Sequence, residues 1–305
     1  MERVMASVPI LKKALGLNNV ADPTRVKHSF ETGESELAVA YNVDIDSNGR
    51  VSMRKGYTAT ARTEASHSIF CDGGECLFIA GSALYRLNTD YSRTGVRSSM
   101  QTGARCRYVQ VANRIYYTNG YQLGYVVDGV SYTWEVSTYV GPTTHRRFSN
   151  PPLGTILEVH SSRMYIVVGD VLWYSEPFAY NMYDLSSNFI QFRSEIRMIR
   201  SIKTGMFVGT DTEVIFLQGM NPREFVFINA AASVVVEGTD ARIPGVRFVN
   251  GEQTDQLIMW TAQDGIYVGF PDGSARNVTR DKLIYPSANL GCAVYKDNKY
   301  LTLLQ

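Results

Sequence analysis

No apolar run in this 305-residue sequence is long. The stretches at 164–168 and 230–236, the latter broken by Ser233, fall far short of the ~20 residues that a helical membrane span requires. Charge of one sign is also lacking: 30 Lys+Arg stand against 29 Asp+Glu, a net charge of +1. That balance argues against a binder whose affinity comes from neutralising many phosphates. A secretory leader is not expected, because Ser7 and Pro9 interrupt the first apolar residues and Lys12-Lys13 close them. The four cysteines, Cys71, Cys76, Cys106 and Cys292, form no CxxC pair and have no histidine at zinc-finger spacing. In a chain of this length they are expected as reduced, partly buried thiols of an intracellular product. Phosphate-cradling glycine motifs and a GxSxG elbow are missing, and His28, His67, His145 and His160 stand in unrelated contexts.

What is present is an ordinary globular composition, 45% apolar and 11% aromatic. This excludes intrinsic disorder and allows a core without disulfide or metal staples. The dominant pattern is the short β-strand followed by turn residues. CLFIA at 76–80 and ALYRL at 83–87 flank Gly81-Ser82, and Gly supplies the positive φ that a tight hairpin requires. The same arrangement recurs at 113–118 with 121–127, at 163–168 with 171–174, and at 205–209 with 213–217. It recurs again at 257–261 with 266–268 and at 292–295 with 299–304. Further strands are expected at 132–136, 188–192, 198–202, 224–228 and 233–237.

The hairpins lie about 40–50 residues apart, the period of β-propeller blades. The fold class expected is therefore all-β, a β-propeller of six blades, with five or seven as the other counts. The hairpin 37–53 and the C-terminal strands would share one blade to close the ring. A β-sandwich or a multi-hairpin protein is the alternative. Residues 1–36 read as an N-terminal arm ahead of a propeller domain at 37–305. Within the arm, residues 9–17 suggest one or two helical turns carrying Ile10, Leu11, Ala14 and Leu15 on one face. Residues 138–154 form a long inter-blade loop with Arg146 and Arg147, and long loops in compact domains are usually functional. The residues expected to contact a partner are Ile10, Leu11, Lys12, Lys13, Leu15, Arg146 and Arg147.

Motifs for chemistry are weak. Asp44-Ile-Asp46-Ser-Asn48-Gly49 opens like a calcium loop, but Lys55 stands where the closing Glu belongs, so a hairpin turn is the better reading. Asp72, Asp170, Asp211, Glu213 and Asp264 occupy turn positions where Asp bonds its local backbone, and no spacing singles out a catalytic pair. Asn277-Val-Thr279 fits a glycosylation acceptor by chance. Arg193, Arg197, Arg200 and Lys203 read as solvated charge along a strand edge, with nucleic-acid contact as the alternative. No catalytic, cofactor or metal residues are assigned, and the chain is not expected to be an enzyme.

Four segments resemble those of tailed-phage virion proteins, among them the tail nozzle or hub subunits of short-tailed phages. They are NVDIDSNGRVSMRKGY at 42–57, LWYSEP at 172–177, FVGTDTEVIFL at 207–217 and DGIYVGFPDGSARNVTRD at 264–281. The resemblance implies a β-propeller that assembles into a ring or tube prolonging the DNA-ejection conduit. Its partners would be further copies of itself, six by the symmetry of tails or else three or twelve, and neighbouring tail, connector or fibre proteins. DNA would be met only in transit, and the protein, made in the host cytoplasm, would reside in the virion. At 305 residues there is little room for the extra domains of the larger nozzles, so a reduced nozzle, connector or adaptor is expected. The alternative is a propeller of the tail tip that binds or cleaves a glycan.

Overall fold

The computed structural model describes residues 11–56, 65–72, 74–136, 147–244 and 256–305; Ile10 and Arg146 lie outside them. Among the described residues every regular element is a β-strand. The N-terminal part holds β1 (Lys13–Leu17), β2 (His28–Ser29) and β3 (Glu34–Leu37), which form a sheet in the order β1-β3-β2. The hairpin of β4 (Val43–Ile45) and β5 (Val51–Met53) follows. Its turn spends Asp46 on local backbone: Oδ1 accepts from the N–H groups of Asn48 and Arg50, both at 2.9 Å.

Five four-stranded antiparallel meanders come next. The first comprises β6 (Ser66–Asp72), β7 (Glu75–Ala80), β8 (Ala83–Leu87) and β9 (Arg93–Arg97). The second comprises β10 (Arg107–Val111), β11 (Arg114–Thr118), β12 (Leu123–Val127) and β13 (Val130–Tyr132). The third comprises β14 (Ile156–His160), β15 (Arg163–Val168), β16 (Val171–Tyr174) and β17 (Phe189–Gln191). The fourth is β18 (Ile196–Ile202), β19 (Gly205–Thr210), β20 (Val214–Gln218) and β21 (Val226–Ala231). The fifth is β22 (Ala241–Ile243), β23 (Leu257–Ala262), β24 (Gly265–Gly269) and β25 (Ala275–Asn277). A two-stranded ribbon, β26 (Gly291–Lys296) and β27 (Lys299–Leu304), ends the chain.

First strands neighbour first strands: β6 meets β10, β10 meets β14, β14 meets β18 and β22 meets β26. Sheets stacked about their first strands are propeller blades, so the chain is an all-β propeller rather than a sandwich. The core lies between blades. On β19, Met206 and Val208 face the third blade with Tyr165 and Leu172, while Phe207 faces the fifth with Ile258 and Trp260. Period-2 alternation thus feeds two cores at once, and β19 is buried along its whole length. Tyr295 and Tyr300 of the terminal ribbon pack in the same manner against Ile243, Leu257 and Val268 of the fifth blade.

Several expectations are corrected. Five blades have four strands and the sixth position has two, because the hairpin β4–β5 forms a separate sheet. The Ala14 N–H donates to the Gly49 carbonyl at 2.7 Å, so that hairpin is backbone-bonded to β1 and does not join the β26–β27 sheet. Residues 13–17 are a strand, not a helical turn: β1 runs parallel to β3, and an isolated helix of two turns pays a nucleation cost that this pairing avoids. The strand expected at 132–136 ends at Tyr132, where Trp134 turns inward and its Nε1 donates to the Tyr180 carbonyl at 3.1 Å. Residues 233–237 make only two isolated bridges, Val235 to Ala262 and Glu237 to Leu290, as the chain crosses between blades. Cys71 and Cys76 are disulfide-bonded, since they stand directly opposite each other in the β6–β7 ladder. Cys106 is a buried thiol, its pKa pushed up to about 12 chiefly by burial, and Cys292 is exposed.

Candidate functional site

Two features stand apart from the packing of blades: exposed large apolar side chains on the N-terminal sheet, the hairpin and the terminal ribbon, and an ionic cluster joining the first strands.

The surface begins at β1. Leu11, Lys12 and Lys13 are exposed, Ala14 is buried beneath them, and Leu15 is half-buried. Lys13 Nζ pairs with Glu34 Oε1 at 3.2 Å. Arg147 is exposed ahead of the Ser149–Tyr183 bridge on the third blade, and no described contact joins it to β1. The N-terminal sheet is instead tied to the C-terminal segment. Asn19 donates to the carbonyls of Lys282 and Ile284 at 3.0 and 2.6 Å and accepts from the Ile284 N–H at 2.7 Å. Lys282 Nζ meets Glu36 Oε1 at 3.2 Å, and Lys299 Nζ meets Asp44 Oδ2 at 3.6 Å.

Around these ties the large apolar side chains face water: Tyr41 at 85%, Met53 at 79%, Phe30 at 78% and Leu303 at 73% exposure. On the ribbon, Cys292 stands opposite Leu303 and Val294 opposite Leu301, and all four are exposed on the face turned from the fifth blade. Beyond β27 no further strand pairs with it among the described residues.

The ionic cluster sits where the first strands converge. Glu158 of β14 is fully buried and takes Arg242 of β22 on Oε1 and Arg200 of β18 on Oε2, the latter at 3.4 Å. Arg200 Nε also meets Asp240. Arg107 of β10 and Arg197 of β18 share Glu237, at 3.9 and 3.8 Å, and Arg197 Nε donates to Asp211 Oδ1 at 2.6 Å. Arg105 Nη2 donates to the Gly291 carbonyl at 2.6 Å. Arg197 and Arg200, expected as solvated edge charge, are thus half-buried: Arg197 pairs with Asp211 and Glu195 of its own blade and reaches Glu237, while Arg200 pairs with Glu158 of the third blade and with Asp240. Their strand is the edge of its own sheet, but that edge faces the converging strands of its neighbours. Burial pushes the Asp240 carboxyl up, yet Arg200 and Arg107 outweigh it and hold it below the ordinary carboxylate range.

The other candidate acids are dispersed. Asp170 accepts from Gln191, Glu213 accepts from Asn229, Asp264 accepts from Ser233 and from Tyr267, and Asp72 lies exposed on β6. Glu158, Glu237, Asp240 and Arg242 escaped the sequence reading. The available signal was a charged residue flanked by apolar ones in a strand, as in ILEVH at 156–160.

His160, beside this cluster, donates from Nε2 to the Gly219 carbonyl at 2.8 Å and accepts on Nδ1 from Ser201 at 3.1 Å. Burial lowers its pKa, against the opposing pull of the Gly219 carbonyl and Glu158. His67 is lowered by burial and by Arg105. Both therefore charge more readily in the unfolded chain, where histidine titrates near about 6.5. The stability they contribute is complete above that value and is lost as pH falls through their folded pKa values. Melting temperature by scanning calorimetry is expected to fall as the pH drops below about 6.5. The double variant His67→Gln/His160→Gln should show a flatter profile, whatever its absolute stability; an unchanged slope would assign the loss to other groups.

No family model and no curated protein matches the sequence. Solved structures do match. The chain is similar to BBS1N in its complex with ARL6DN, soaked with mercury, at 12% identity and TM-score 0.50, over 97% of this chain and 91% of that one. It is similar to streptogramin B lyase at 12% identity and TM-score 0.48, over 86% and 83% of the two chains. It is also similar to the Neurospora crassa Pan2 WD40 domain at 11% identity and TM-score 0.43, over 68% of this chain and 63% of that one. At such identities the likeness concerns the propeller fold alone.

Proposed function

We propose that this chain is a structural subunit of a phage tail, a reduced nozzle, hub or connector that assembles into a ring on the DNA-ejection path. One observation supports this reading most: the exposed Phe30, Tyr41, Met53 and Leu303 around the joined chain ends. Monomeric proteins rarely leave large apolar patches uncovered, and such patches mark interfaces. The four segments resembling virion proteins add to it, since the first of them, 42–57, contains the hairpin β4–β5 of that same surface. Heterologous contacts between copies that close give a ring. Arg200, Glu158 and Asp240 tie neighbouring blades together near their first strands, and in this reading DNA in transit passes through the ring of copies and not through a single propeller.

Light scattering with negative-stain electron microscopy of the purified chain is the test. The expected result is a closed ring, six-fold by the resemblance, formed alone or on adding neighbouring virion proteins. The double variant Tyr41→Asp/Met53→Asp should remain monomeric with an unchanged circular dichroism spectrum. A wild-type chain that stays monomeric with and without those neighbours would overturn the reading.

A further inference from the structure

A groove of about 330 Å³ opens between the third and fourth blades, and none of its lining residues belongs to the surface of the chain ends. It is lined by Phe192, buried just after β17, and by Phe227 of the outer strand β21, a residue 54% exposed. The two rings lie 6.3 Å apart. Phe227 and Asn229 are two residues apart on β21 and so project from the same face. Asn229 Nδ2 donates to Glu213 Oε2 at 3.0 Å, which orients both planar groups; Asn229 Oδ1 and Glu213 Oε1 have no donor among the described residues. Arg193, which also lines the groove, is exposed.

These groups match one ligand chemistry. An exposed aromatic face beside fixed planar acceptors suits a pyranose ring, whose C–H face is apolar and whose hydroxyls radiate in its plane. The volume lies at the small end of ligand pockets, room for one or two sugar rings. The Arg193 guanidinium adds a fork that fits a carboxylate bidentately. We propose that this groove binds an acidic saccharide, a uronic-acid unit of a polysaccharide. The sugar ring stacks on Phe227, its hydroxyls donate to Asn229 and Glu213, and its carboxylate pairs with Arg193. The assignment is independent of ring assembly, since no residue of the groove belongs to the surface of the chain ends.

The test is saturation-transfer NMR on the full chain, with trigalacturonate as the acidic probe and maltotriose as the neutral control. Trigalacturonate is expected to receive saturation at about millimolar concentration, and maltotriose at least ten-fold more weakly. Phe227→Ala and Arg193→Ala should each reduce trigalacturonate affinity ten-fold or more. Both side chains are at the surface, so the melting temperature serves as a control that the fold is intact. Equal binding of the two saccharides, no binding of trigalacturonate, or full affinity in Arg193→Ala would each overturn the proposal. Free galacturonate as a third probe distinguishes a site for a single sugar from one that requires the polymer.

Discussion

Replacing Glu158 by alanine is expected to destabilise the protein by about 3 kcal/mol, the lower end of what breaking a buried ion pair costs. In a chain of this size that is a fall of roughly 5 °C in melting temperature. The carboxylate is completely buried, receives the Val159 N–H at 2.9 Å, and carries Arg200 and Arg242 on its two oxygens. Its removal leaves both guanidinium groups short of their shared counter-charge at the meeting point of three blades. The loss is not larger because Arg242 keeps 40% of its side-chain exposure and Arg200 retains Asp240. Glu158→Gln preserves shape and one acceptor, so it should cost less than the alanine variant. Urea denaturation of both variants and the wild type checks this order. A loss below about 1 kcal/mol in Glu158→Ala, typical of a solvated pair, would show that water reaches the cluster.

Much of the blade architecture was legible because it is written locally. The 163–168 and 171–174 runs meet across Gly169, whose φ of +62° is the conformation the hairpin needs, and they appear in the structure as β15 and β16. The ionic cluster was not legible for the opposite reason. Glu158 finds Arg200 and Arg242 only after whole blades have stacked, and nothing near ILEVH names those partners. The chain start was misread because the 9–17 pattern suits a helix face, while the partner that makes it a strand, β3, comes later in the chain. The groove between blades three and four shares this limitation. Arg193 looked like one member of an arginine stripe with Arg197 and Arg200, yet it leaves the end of a blade and faces a different neighbour from either.

Replacing Trp260 by alanine should cost about 4 kcal/mol, as large aromatic truncations in cores do, whereas Trp260→Phe should stay within about 1.5 kcal/mol of wild type. Trp260 is fully buried where the fourth and fifth blades meet. It stacks on Tyr267 with centroids 5.6 Å apart and planes at 6°, and it meets Phe207 at 5.6 Å. Gly269 makes room for this cluster, since an added Cβ would come within 2.7 Å of Phe207 and 2.9 Å of Trp260. Alanine at 260 therefore opens a cavity whose walls are two rigid sheets, and neither can collapse into it without moving its own ladder. Phenylalanine loses part of the ring but also removes the indole Nε1–H, which is buried with no acceptor among the described residues. A buried donor left unmade costs about 1–3 kcal/mol, and its removal offsets the packing lost. Calorimetry of the two variants separates the contributions. If Trp260→Phe were as damaging as Trp260→Ala, the indole N–H would have to be hydrogen-bonded, and the stability of this interface would come from that bond more than from the ring.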